Sequence, residues 1–208
     1  MVGLVPAAFK RALDVVAALV GLLLLAPLMV AIAATVLATM GRPVLFRQVR
    51  PGYHATPFTL IKFRTMRVAT GPDGESLPDA ERLTRLGLIL RRTSLDELPQ
   101  LWNILRGEMS LVGPRPLLTE YLPLYSLEQS RRHEAQPGLT GWAQVRGRNA
   151  VSWDDRLDND VWYVDHRSLV LDLKILALTF QRVVGGRGVT SPGEATMARF
   201  VGSEGGTI

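Results

Sequence analysis

Hydrophobic positions along the chain fall into three unlike patterns. The first is an unbroken apolar run. From Val15 to Met40 there are 26 residues without a formal charge, closed off by Lys10, Arg11 and Asp14 before and Arg42 after. Roughly 20 apolar residues carry a helix across bilayer hydrocarbon, so the run predicts a membrane-embedded helix. It is about twice the length of a leader's apolar region, which argues against a cleaved signal peptide. Pro27, preceded by Ala26, lies near its middle. The missing N–H and the ring clash predict a break there, and with it a re-entrant helix that returns to the face it entered. A kinked spanning helix is the alternative. Basic residues flank both ends, so either topology leaves the rest of the chain on the cytoplasmic side of the membrane.

The second pattern is alternation. Val44–Val49 and Phe58–Phe63 read as short strands joined through a Pro51-Gly52 turn, which puts Lys62 and Arg64 on one strand face. The third has helical spacing. It predicts helices over Arg82–Arg92, from Thr93 or Ser94 to about Leu105, over Asp155–Asp165 and over Leu169–Val184, and partial helix over Pro116–Ala135 with Pro123 interrupting. Ala69–Ala80 reads as a surface loop and Gln136–Asn149 as a Gly-rich loop with a short extended stretch. The resulting fold class is a helix-rich, mixed α/β domain over residues 42–208 behind an anchoring segment, residues 1–41. No strand–helix alternation of the Rossmann kind is present.

Charge sharpens this picture. The chain has 208 residues and a formal charge of +5. Only Lys10, Lys62 and Lys174 of its 24 basic residues are lysines. Arginine's planar fork suits phosphate oxygens, although a GC-rich genome produces the same bias. No zinc spacing, aromatic RNA-binding signature or sustained basic run points to nucleic acid. Without cysteine there is no disulfide and no thiolate chemistry.

The candidate chemistry centres on Thr93–Pro116. Asp96 and Glu97 are adjacent carboxylates at a predicted helix start, and Ser94-Leu-Asp-Glu97 also fits a capping box that needs no function. Neighbouring helical positions diverge by about 100°, so two functional acids there would do different jobs. In Gly113-Pro-Arg-Pro116 two prolines hold one arginine, Arg115, with little entropy left to lose. Asp158-Asn-Asp160 matches a DxD metal pattern but lies in a charged stretch that reads as a solvated helix face. His54, His133 and His166 show no ligand spacing and read as surface residues.

Taken in order, these segments resemble the bacterial sugar transferase family, the small monotopic phosphoglycosyl transferases. The likeness runs through Lys10-Arg11-x-x-Asp14, the Pro27 position, Gln48-Val-Arg-Pro-Gly52, Lys62-Phe-Arg-Thr-Met66, Thr93–Gln100, Gly113–Pro116, Pro137–Gln144 and Gly147-Arg-Asn149. It implies a membrane enzyme that moves a sugar 1-phosphate from a UDP-sugar to undecaprenyl phosphate and so initiates a glycan. Asp96 would be the nucleophile, forming a covalent aspartyl intermediate with release of UMP. The helix N-terminus would keep it ionised. Glu97, with Asp96, would bind Mg²⁺. Lys62, Arg64, Arg91, Arg115 and Arg148 are the substrate-binding candidates. The compact length looks like that of family members acting on modified N-acetylated sugars. One departure stands out: the family's break is commonly Ser-Pro, and here it is Ala26-Pro27. Two rival readings remain, a non-enzymatic membrane adaptor with a basic surface and a DxD glycosyltransferase using Asp158 and Asp160.

Overall fold

The computed structural model describes residues 7–69, 77–146, 152–185 and 199–202. The apolar run forms one helix, α1, Ala7–Met40, with Pro27 inside it rather than between two elements. At 1.5 Å per residue its 34 residues amount to about 50 Å of helix. Both of its arms pack on the same body. Ala18 and Leu22 join Leu101, Ile104 and Phe58 in one apolar cluster, while Ile32 and Val36 join Phe63 and Leu90 in another. Between the arms, Leu23, Leu24 and Val30 are 68%, 75% and 69% exposed.

Polar ties hold each end. Lys10 Nζ lies 2.6 Å from Asp172 Oδ2, and the Arg11 guanidinium donates to the Ile104 and Leu105 carbonyls. Buried Asp14 accepts from Ser110 Oγ at 2.8 Å and from the Leu111 N–H at 3.1 Å. At the far end, the buried Arg64 guanidinium donates to the carbonyls of Met40, Gly41 and Arg42. It thereby occupies acceptors that a helix C-terminus leaves unpaired.

The predicted hairpin is present as β1, Leu45–Pro51, and β2, Pro57–Phe63, antiparallel with Leu45 opposite Phe63. Beyond it come α2, Asp79–Arg82, and α3, Arg85–Thr93, where one helix was expected over Arg82–Arg92. The division is local: Leu83 is extended and bridges Met66, and Thr84 starts a new helix by accepting from the Gly87 N–H.

The helix predicted from Ser94 is also corrected. Ser94 lies in the left-handed region at φ 57°, Leu95–Glu97 forms a 3-10 turn, and α4 runs only from Gln100 to Leu105. Pro99 has no N–H to donate, and successive bonds from Glu97 to Ser94, Leu98 to Leu95 and Trp102 to Pro99 keep the turn tight. Ser94 therefore makes no capping box. The motif occurs instead at Ser126–Gln129, which opens α5, Leu127–Ser130, within a 116–135 stretch otherwise made of 3-10 turns.

The remaining elements build the floor. β3, Ser110–Val112, pairs in parallel with β4, Gly138–Thr140, and α6, Trp142–Arg146, comes directly after. A loop was expected over most of that second segment. Helices α7, Trp153–His166, and α8, Leu169–Gly185, match their predicted spans closely. Tyr163 of α7 ties them together, its hydroxyl donating to Asp172 Oδ1 at 2.7 Å. The described residues form a helix-rich mixed α/β body with two small two-stranded sheets.

Candidate active site

The two acids sit on the 3-10 turn between α3 and α4, packed against β2. Asp96 is 4% exposed. Glu97 is ion-paired, with Arg115 Nη2 2.5 Å from its Oε1. Burial pushes the Asp96 carboxyl up to about 6, the Glu97 charge adds to the rise, and Lys62, Arg115 and Arg91 oppose it. The carboxyl is thus raised, where a helix N-terminus was expected to favour its charged form. No long helix starts here, and desolvation outweighs the neighbouring cations.

Those cations come from three separate places. Lys62, on β2, is lowered by burial and held up chiefly by Asp96. Arg91, in the last turn of α3, donates from Nε to Thr65 Oγ1 at 3.1 Å, and burial lowers it while Asp96 holds it up. Arg115 is raised first by the charge of Glu97. The Pro-Arg-Pro element that carries it is locked by backbone contact. Gly113 N–H donates to Thr140 and Gly138 N–H to Pro114, each at 2.9 Å. A Cβ on Gly113 would stand 2.1 Å from the Gln136 carbonyl oxygen, which only glycine avoids.

Of the predicted substrate-binding residues, Lys62, Arg91 and Arg115 are therefore brought to the dyad. Arg64 is not; its guanidinium is spent on the end of α1. Arg148 lies outside the described residues. Asp158 is exposed, while Asp160 is buried against Arg132 at 2.6 Å, so the DxD pair is split between two faces of α7. His133 is buried rather than on the surface. Burial first, and then Arg132, push it down to about 4.

Sequence reasoning missed what stands behind Arg115. Arg132, itself paired to Asp160, donates from Nη2 to the Arg115 carbonyl at 2.6 Å and so braces the loop. Arg50 and Arg156 are each pushed down to about 10, by burial and then by the charge of Arg115. The Gln48-Val-Arg50 motif was a signal for the first of these, but none pointed to Arg156.

A buried acid beside a second acid, ringed by cations drawn from distant segments, is suited to binding and attacking a phosphate ester. Comparison with known proteins decides the family. Residues 5–186 match the sequence pattern described as bacterial sugar transferase. The chain belongs to the bacterial sugar transferase family. This bacterial sugar transferase is 52% identical to the uncharacterized sugar transferase EpsL of Bacillus subtilis (strain 168), over 93% of its own length and 96% of that protein's. It is 45% identical to the UDP-glucose:undecaprenyl-phosphate glucose-1-phosphate transferase of Caulobacter vibrioides, over 82% of its own chain and 67% of the other. With the exopolysaccharide production protein ExoY of Rhizobium meliloti it shares 41% identity, over 86% and 87%.

Proposed function

We propose that this sugar transferase moves a sugar 1-phosphate from a UDP-sugar to undecaprenyl phosphate at the membrane surface, beginning a membrane-bound glycan. The observation that carries the reading is the buried Asp96 beside Glu97 and within the field of Lys62, Arg91 and Arg115. The names of the relatives support the reaction class, and that of the Caulobacter protein makes UDP-glucose the first donor to test.

In this reading an Asp96 oxygen attacks the β-phosphorus of the donor. The bond from that phosphorus to the oxygen bridging the α-phosphate breaks, and UMP leaves with the electron pair. A sugar-phosphoryl aspartate remains. A phosphate oxygen of the polyprenol then attacks the same phosphorus, which frees the Asp96 carboxylate and yields the polyprenyl diphosphate sugar. The covalent stage separates a water-soluble donor from a lipid acceptor, so three bodies never have to meet. An anion attacking a diphosphate must be screened, and Lys62, Arg91 and Arg115 supply fixed positive charge.

Magnesium fits the donor set. It is commonly held by one or two carboxylates, with water and substrate phosphates completing its shell, and here Asp96 and Glu97 would hold it. When bound it would neutralise charge on the donor phosphates. Among the described residues no group of three metal-ligating side chains exists, so two carboxylates would leave the rest of the shell to water and phosphate.

For the anchor, we propose that both ends of α1 lie on the cytoplasmic face of the inner membrane. The support is that Lys10, Arg11 and Asp14 at one end and Met40–Arg42 at the other are bonded to a single body. The function is tested by incubating membrane-embedded protein with UDP-glucose, other UDP-sugars, Mg²⁺ and undecaprenyl phosphate. UMP release with a sugar-phosphate adduct in the intact mass is expected. Full UMP release by Asp96→Asn would reject the aspartyl route. No UMP from any UDP-sugar would favour the adaptor.

A further inference from the structure

A cavity of about 410 Å³ opens at the foot of α1, where Thr39 in its last turn meets Arg67, α2 and the first turn of α3. Leu83 and Leu86 form its apolar wall, and Leu86 also packs against the Ile32–Val36 arm of α1. Among the described residues three arginines line it, Arg67, Arg82 and Arg85, with Glu81 as the one acid. Arg82 is held in place: its Nε donates to the Arg67 carbonyl at 3.1 Å and its Nη1 lies 3.8 Å from Asp79. Arg67 and Arg85 are exposed, and neither has a side-chain ion pair among the described residues. Among the described residues the lining is thus a positive concavity in which two guanidinium groups have no ion pair.

Position selects the anion. The apolar run ends at Met40 and the next formal charge is Arg42, so the cavity sits where α1 leaves hydrocarbon for water. The anions concentrated at that level are lipid phosphates. The dyad lies on the other side of Thr65. That residue's hydroxyl holds Arg91, while its carbonyl accepts from the Thr84 hydroxyl at the cavity rim.

We propose that this cavity holds the headgroup of an anionic glycerophospholipid. Its phosphate would rest on Arg67, Arg82 and Arg85, and its chains would run down the exposed apolar side of α1 at Leu37 and Val30. The inference rests on the membrane-bound reading above. It has a consequence for the site, because the α3 that begins at Arg85 ends with Arg91 in its last turn. An occupied cavity fixes the start of the helix that presents Arg91, and so makes turnover depend on anionic lipid.

The test places the full chain in nanodiscs of phosphatidylcholine, with or without phosphatidylglycerol. Native mass spectrometry reads retained lipid, and UMP release reads activity. Wild type should retain phosphatidylglycerol and turn over faster in its presence. The variant R67Q/R85Q should bind it about 25-fold more weakly, at about fivefold per arginine. It should also lose the activation while melting like wild type. R67K/R85K should keep most of both effects, since an ammonium still meets a phosphate as a point charge. Unchanged phosphatidylglycerol retention by R67Q/R85Q overturns the proposal. So does a raised KM for undecaprenyl phosphate with phosphatidylglycerol binding intact, which would assign the cavity to the acceptor. Wild type that enters both bilayers yet keeps no phosphatidylglycerol overturns this site alone. Wild type that enters neither overturns the membrane reading together with it.

Discussion

At Asp96 two demands oppose one another. The proposed nucleophile must be ionised to attack, yet burial has pushed this carboxyl from 3.8 to about 6. Between those values the folded chain binds more protons than the unfolded one, so stability falls as pH rises through the interval and stays lower above it. Asp96→Asn removes the strained charged form. In metal-free protein it should be more stable than wild type at neutral pH by about 1–3 kcal/mol. The gain should vanish below the ordinary carboxylate value, as thermal melts across pH would show. The same variant should lose UMP release by a factor of about 10³ or more. Its neighbour makes a geometric demand. Arg115 presents Nη2 and Nη1 to the two oxygens of Glu97 at 2.5 and 3.5 Å. Arg115→Lys keeps the charge and loses the fork, so turnover should drop about 10- to 100-fold with little change in melting temperature.

At the scale of elements, α3 is seated by one contact that tolerates no side chain. A Cβ on Gly87 would lie 1.9 Å from the Thr65 carbonyl oxygen, backbone against backbone. Gly87→Ala must lift the helix away from Thr65 and carry Arg91 with it. Denaturant unfolding should show a loss of about 2–3 kcal/mol, and UMP release should fall with it. This seat also marks where sequence reading stopped. The β1–β2 hairpin and α7 were legible because alternation, a Pro-Gly turn and helical spacing are local signals. The start at Ser94 was misread because Ser94 and Glu97 match a cap by type, whereas Pro99 and a left-handed Ser94 dictate a tight turn. Likewise, β3 and β4 are three residues each and are held by the approach of Gly113 to Gly138, which no periodicity announces. Lys62, Arg91 and Arg115 were legible as basic residues in family motifs. Arg132 and Asp160 were not, because a buried pair acting through a backbone carbonyl leaves no pattern along the chain.

The whole molecule shows a consistent polarity. α1 exposes apolar side chains around Pro27, and α8 exposes Val170, Leu173 and Phe180 on one helical face. Lys10 of α1 and Asp172 of α8 bring the two helices together. If this side meets lipid, replacing Val170, Leu173 and Phe180 with serine should weaken binding to vesicles several-fold while secondary structure is kept, as flotation would measure. Topology has its own test. Single cysteines at the exposed positions Phe9 and Arg42 should both react with an impermeant reagent from the cytoplasmic side only. Labelling from opposite sides would make α1 a spanning helix.

The packing of α1 also governs how the protein must be made and handled. Ala18 and Val36 are wholly buried, so the anchor supplies core to the body and is not an appendage to it. A truncated chain starting after Met40 would uncover Phe63, Leu90, Leu101 and Ile104 and take the Met40 carbonyl from the Arg64 guanidinium. Such a fragment should come off the ribosome unable to finish folding and collect in inclusion bodies, however soluble its composition looks. The catalytic body therefore completes its core only with α1 in place, so anchor and body fold as one unit.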